Sequence, residues 1–250
     1  MDYISVKQAR ERNELRMVLC AGTPGVWGEA IKAVLNHKEL AYLPVLQEVG
    51  GENAALREWT GQTSAPVIVD ANGRLNISWE NMILLAETLA PEAVLVPTNA
   101  ADRVLMFGLL REIAGENGIG WNRRLQSIAL SGGPDANPVL KRLADKYGYS
   151  EAAVAQSERR TVEILNLLSQ RLSEQSPYYF GDQLTALDFY SAVFLGVMIN
   201  PLPHELIPMP SGMRAGFSHP SPEVAAALDK CLLAHRDLMF AKHMQTPLDF

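Results

Sequence analysis

A chain of 250 residues suits one or two domains with substantial cores. Its net charge of −6 argues against a nucleic-acid surface, which depends on clustered Lys and Arg; Arg123-Arg124 and Arg159-Arg160 read as isolated pairs on solvated helix faces. Cys20 and Cys231 have no Cys-x-x-Cys spacing, so neither a dithiol redox motif nor a zinc site is indicated, and no other metal ligand set stands out.

In chain order, the first sixteen residues are polar and charged, without the apolar core of a signal peptide. Leu15–Cys20 reads as a buried strand that enters the loop Ala21-Gly22-Thr23-Pro24-Gly25-Val26-Trp27-Gly28. A helix is expected from near Glu29, with Ile31, Val34 and Leu35 on one face. Ala41–Leu46 is a short strand, and Pro44 demotes it to a sheet edge. Thr63-Ser64-Ala65-Pro66 is a polar turn that runs into the β-branched strand Val67-Ile68-Val69. A proline there suits a strand's first residue, and the position is a candidate for a cis peptide. Asp70-Ala71-Asn72-Gly73 turns the strand back into Arg74–Ile77. Ser78 or Asn81 is placed to cap the helix carrying Met82–Leu85, with Glu80 near its positive end.

Pro91 and Pro97 break helix continuity, which divides the chain into residues 1–92 and 93–250. Beyond this point the pattern is helical. Val154, Thr161, Ile164, Leu165, Leu168 and Leu172 form an apolar stripe in 150–174, and Val224, Leu228, Leu232, His235 and Leu238 form one in 222–242. The loop 131–138 lacks the Lys-Ser/Thr ending of a phosphate-binding loop. Thr185 and Asp188 have capping-box spacing, flanked by Leu184 and Phe189 as a hydrophobic staple. The longest apolar stretch, Ala192–Ile199, is far shorter than the ~20 residues of a membrane span, and a cytoplasmic chain with reduced cysteines is expected.

Thr63-Ser64-Ala65-Pro66-Val67, Glu80-Asn81 with Ile83-Leu84, and the helix Ile31–Leu40 resemble the corresponding segments of the glutathione transferase superfamily. The capped segment Gly181–Tyr190 resembles that family's buried capping motif. The resemblance covers 15–90 and 150–200 well, and 118–149 and 200–222 poorly. It implies an α/β thioredoxin-like domain with a mixed four-stranded sheet over 1–92, followed by an all-α helical-bundle domain over 93–250. It also implies glutathione as co-substrate, a small hydrophobic electrophile as its partner in detoxification, and a homodimer. No metal, nucleic acid or membrane is implied.

By the same resemblance the main chain at Ser64, Ala65 and Pro66 pairs with the cysteinyl unit of glutathione, and Glu80 with Asn81 holds its γ-glutamyl group. Asn81 replaces the usual serine, but a carboxamide still donates and accepts. Gly25 falls where many classes carry the catalytic serine or cysteine, and Ala21 falls near the tyrosine position of others. Thr23 is the only hydroxyl in the loop and becomes the catalytic candidate. The amides at Gly25, Val26 and Trp27 offer the sulfur an alternative partner, helped by the helix dipole.

Arg57, Trp59 and Gln62 are weaker candidates for the glycyl carboxylate. Met106, Leu110, Trp121 and Arg124 are candidates for the electrophile pocket, although core and surface roles suit each of them better. His235 is expected as a satisfied core histidine and His243 as an exposed one. The leading function is glutathione transfer to an electrophile. The alternative is a non-catalytic glutathione-binding or interaction module, favoured by Gly25. A thiol-disulfide reductase is disfavoured because the loop has no cysteine, and Cys20 reads as structural.

Overall fold

The computed structural model describes residues 1–172 and 176–250. The N-terminal part runs α1 (Val6–Arg10), β1 (Arg16–Cys20), α2 (Val26–His37), β2 (Leu43–Gln47), α3 (Ala54–Thr60), β3 (Val67–Val69), β4 (Leu75–Asn76) and α4 (Trp79–Leu89). The strands form one mixed sheet in the order β2-β1-β3-β4. β1 is parallel to β2 and antiparallel to β3, and β4 is antiparallel to β3. Met17, Val18 and Leu19 are all buried, as a central strand covered on both faces requires.

Pro44 lies in the edge strand as expected, but that edge is not bare. Ile4 bridges Val45 in parallel, and Ile4 N donates to the Pro44 carbonyl at 2.9 Å. α1 follows, closed by a capping box of Ser5 and Gln8 that the sequence reading leaves out. α2 starts at Val26, three residues before the expected Glu29, and buries Ile31, Val34 and Leu35. In the hairpin between β3 and β4, Asp70 Oδ1 accepts from the amides of Asn72 and Arg74, both at 2.9 Å. Ser78 caps α4, its Oγ accepting from Asn81 N at 3.2 Å.

From Ala100 onward the structure is helical: α5 (Ala100–Ala114), α6 (Ile119–Leu130), α7 (Pro138–Tyr147), α8 (Glu151–Arg171), α9 (Ala186–Phe194), α10 (Ser211–Ser218), α11 (Pro222–Ala227) and α12 (Lys230–Lys242). α8 starts from the Ser150 cap; its expected end at Glu174 lies outside the described residues. α9 is buried along its whole length and continues into a π-helical turn over Leu195–Ile199. A helix starting inside a core must satisfy its first amides locally. Asp188 does this, its Oδ2 accepting from Thr185 N at 2.8 Å within a complete capping box. Asp188 Oδ1 also accepts from Tyr179 N at 3.1 Å and meets His235 Nε2 at 2.9 Å.

Two expectations change. The stripe over 222–242 is two helices, because α11 ends at Ala227 and Asp229 caps α12 through Cys231 N. Arg123 is not on a solvated face but buried, its Nε donating to the Met198 carbonyl at 2.8 Å and Nη2 to the Phe217 carbonyl at 3.3 Å. It satisfies carbonyls of the π-turn and of α10, a role set by tertiary contacts. Arg159 is exposed, while Arg160 pairs with Glu112 and Glu163. No described helix is long and apolar enough to cross a membrane.

Candidate functional site

The sheet register brings three segments to one end of the molecule. Val18 pairs with Val67, so the antiparallel ladder carried two residues further sets Cys20 opposite Ala65. Ile68 pairs with Asn76, and the same extension sets Pro66 opposite Ser78. The loop into α2, the Ala65-Pro66 turn and the start of α4 therefore lie together, with Gln47 of β2 alongside Cys20. This is the carboxyl end of the parallel pair, where open α/β sheets bind their ligands.

The Ala65-Pro66 peptide is cis, and Ser64, Ala65 and Pro66 are all half-buried. Gln47 Nε2 donates to the Thr63 carbonyl at 3.4 Å and steadies the approach to the turn. Gly25 is the N-cap of α2 and provides no side-chain cap, so the amides of Val26 and Trp27 open the helix uncapped. Thr23 is half-buried in the bend before Pro24, and among the described residues its hydroxyl makes no hydrogen bond. Glu80 lies in the first turn of α4. The Asn81 amide is already engaged by Ser78, which leaves the exposed carboxamide as the group Asn81 can offer.

The place a residue-25 side chain would occupy is filled by Cys20. A β-carbon on Gly25 would lie 2.8 Å from Cys20 Sγ. Burial pushes the Cys20 thiol up to about 11; Arg124 and Lys146 pull it back and Glu29 adds to the rise. The thiol is thus protonated at neutral pH, as a structural cysteine should be. Lys146, at the end of α7, donates from Nζ to Ser64 Oγ at 3.2 Å. Arg124 is half-buried on α6.

The Trp27 side chain is a packing wedge. Its Nε1 donates to the Ala114 carbonyl at 2.7 Å, and its ring meets Phe194 edge-on at 5.2 Å and stacks on Tyr147 at 6.4 Å. Gly120 makes room for it: a β-carbon there would lie 2.7 Å from Trp27 Cζ2. Met106 and Leu110 are fully buried core residues, and Trp121 Nε1 donates to the Tyr147 carbonyl at 2.9 Å. Arg57 is exposed, whereas Trp59 packs under Arg16 with the guanidinium 5.9 Å from the ring centroid. His235 is the buried partner of Asp188. His243 is half-buried rather than exposed, 2.7 Å from the Tyr178 hydroxyl.

Sequence reasoning missed Lys146, since nothing in 138–147 marks it apart from other helix-end lysines. It also missed Tyr190, whose buried hydroxyl has no partner among the described residues and is pushed up by burial and then by Glu80. The buried pair Glu29–Lys32, 2.6 Å apart, borders a separate cavity of about 100 Å³ beneath the 244–249 tail. No group of three or more potential metal ligands occurs among the described residues.

The sequence matches no family model, and no curated protein matches it. The structure, in contrast, aligns along almost its full length with solved glutathione S-transferases. One from Methylobacterium radiotolerans, in complex with glutathione sulfonate, is 16% identical with a TM-score of 0.57, covering 95% of this chain and 97% of that one. The chain has the glutathione S-transferase fold. Glutathione transferase Omega 3C from Trametes versicolor is similar too, at 14% identity and a TM-score of 0.61, covering 96% of this chain and 93% of its own. A glutathione transferase family member from Pseudomonas fluorescens, with two glutathione bound, gives 13% identity and a TM-score of 0.59, covering 92% of this chain and 97% of that chain. Within the glutathione S-transferase fold, the sheet is the thioredoxin-like half and the helices from α5 onward are the all-α half.

Proposed function

We propose that this protein is a glutathione transferase that binds glutathione on residues 1–92 and directs its thiolate at a hydrophobic electrophile held against residues 93–250. The observation that carries the reading is the convergence of the α2 N-terminus, the Ala65-Pro66 turn and the Glu80 end of α4 at one sheet end. In this reading Ser64, Ala65 and Pro66 hold the cysteinyl main chain, and Glu80 with Asn81 holds the γ-glutamyl group. The sulfur lies at the uncapped amides of Gly25, Val26 and Trp27, with the free Thr23 hydroxyl in the same loop as its donor. Rate comes from forming the thiolate and from holding both reactants in line. A cytoplasmic setting suits the unpaired Cys20 and Cys231.

The reading includes a homodimer. Leu75 of β4 and Ile77 just after it, Leu89 of α4, and Val104 and Leu105 of α5 are exposed large apolar side chains. Exposed apolar side chains are what a contact between two copies would cover, and Val104 is the most exposed of these at 74%.

Calorimetric titration with glutathione, followed by ultraviolet detection of bound thiolate, tests the function. Binding with an ionised thiol at neutral pH is expected. Binding without ionisation favours the non-catalytic module, which the filled space at Gly25 also favours. Absence of binding overturns both readings.

A further inference from the structure

Two cations, Arg124 and Lys146, act at Cys20 on the carboxyl end of β1. Arg124 comes from α6 and Lys146 from the last turn of α7; among the described residues neither joins an ion pair. Lys146 Nζ reaches Ser64 Oγ at 3.2 Å and lies 5.5 Å from the Tyr147 ring centroid, and that ring stacks on Trp27 in the first turn of α2. Arg124 rests 5.5 Å over the Phe217 ring, with its Nε buried and without an acceptor. The ammonium therefore stands at the proline turn, beside the segment to which the proposed function gives the cysteinyl unit of glutathione.

We propose that Lys146, backed by Arg124, is the group that holds the glutathione sulfur as a thiolate, supplying from the helical half the stabilisation that residue 25 cannot supply from α2. The inference rests on the glutathione-binding reading. Its logic is electrostatic: an opposite charge within about 4–6 Å favours the ionised form, commonly by 1–3 pKa units. Lys146 is exposed, so water and salt keep its effect near the lower end of that range. Both cations already act on the nearest sulfur present, lowering the Cys20 thiol against its burial, while Glu29 opposes them from α2. The thiol proton passes to solvent, and no other reactant is needed.

The test compares the parent protein with Lys146→Gln, Lys146→Arg and Arg124→Gln. Thiolate absorbance of bound glutathione is titrated against pH, and calorimetry measures the affinity of S-methylglutathione, which has no thiol proton. In Lys146→Gln the bound thiol is expected to rise by about one pKa unit, a tenfold loss of thiolate, and Lys146→Arg to restore most of it. S-methylglutathione affinity should stay within about twofold. The proposal is overturned if the thiol titrates unchanged in Lys146→Gln while glutathione still binds, whatever Arg124→Gln does; the glutathione reading then survives alone. It is also overturned if Lys146→Gln weakens both ligands equally without moving the thiol, because Lys146 would then clamp a carboxylate. A parent protein that binds neither ligand refutes both.

Discussion

Cys20 Sγ stands 2.8 Å from the point where a β-carbon on Gly25 would sit, and Cys20 Cβ stands 3.3 Å from it. The glycine is needed for this close approach, since its φ of −74° is open to any residue. Gly25→Ser should therefore destabilise the fold by about 1–3 kcal/mol, as overpacking does, without adding a thiol donor. Urea denaturation should show the loss, and adding Cys20→Ala should recover most of it.

Thr23 has an unengaged hydroxyl in the loop before α2. If it donates to the glutathione sulfur, Thr23→Ala removes one hydrogen bond to an anion, about 1.5–3 kcal/mol. The expected result is a fall in kcat/KM of roughly tenfold or more with KM for glutathione little changed. An unchanged rate would leave the sulfur to the helix amides and the cations.

Asp188 serves four groups with two oxygens: the Thr185 amide and hydroxyl, the Tyr179 amide and His235. Asp188→Ala leaves all of these short of a partner inside the core. A loss of about 3–5 kcal/mol is expected in chemical denaturation. Thr185→Ala should cost less, near the ~1 kcal/mol of an ordinary cap, because the Asp188 contacts with Tyr179 and His235 survive.

Burial first, and then the charges of His243 and Lys38 at His37 and of Lys242 at His243, holds both below the ordinary histidine value of 6.5. Asp188 opposes this at His243, while His235 adds to it. The unfolded chain thus binds protons at a higher pH than the folded one, and stability must fall as pH drops below about 6.5. The rings lie 5.9 Å apart, and protonating both would set like charges against each other. Urea midpoints should decline between about pH 7 and pH 5, and His37→Gln with His243→Gln should flatten the decline.

Val104 is 74% exposed on α5. If the apolar face around it pairs two copies, Val104→Glu together with Leu105→Glu should convert a dimer to monomer in sedimentation, with an unchanged monomer circular dichroism spectrum.

What could be read from sequence was chemistry that residue types impose locally. A proline between polar and β-branched residues marked the Ala65-Pro66 turn, and threonine with aspartate at a fixed spacing marked the α9 cap. What could not be read depends on distant neighbours. Arg123 and Arg124 look alike along the chain, yet one is buried and bonded to the Met198 and Phe217 carbonyls and the other is half-buried over the Phe217 ring. Leu228 fits the stripe of one long helix, but Asp229 turns its side chain back to cap a new one. Lys146 gains its importance only when α7 crosses to Ser64.

The indole of Trp27, bolted to Ala114 and seated beside Gly120 and Phe194, ties the first turn of α2 to α5, α6 and α9. A hinge between the two halves would have to tear out this rivet, so the floor of the cleft moves with the helices. α7 meets the N-terminal half through the buried Tyr147 ring on Trp27 and through two exposed polar links, Lys146 to Ser64 and Arg142 to the Gly50 carbonyl. Tyr147 at the end of α7 stacks on the same indole, so this rivet joins α2 to four helices of the other half at once.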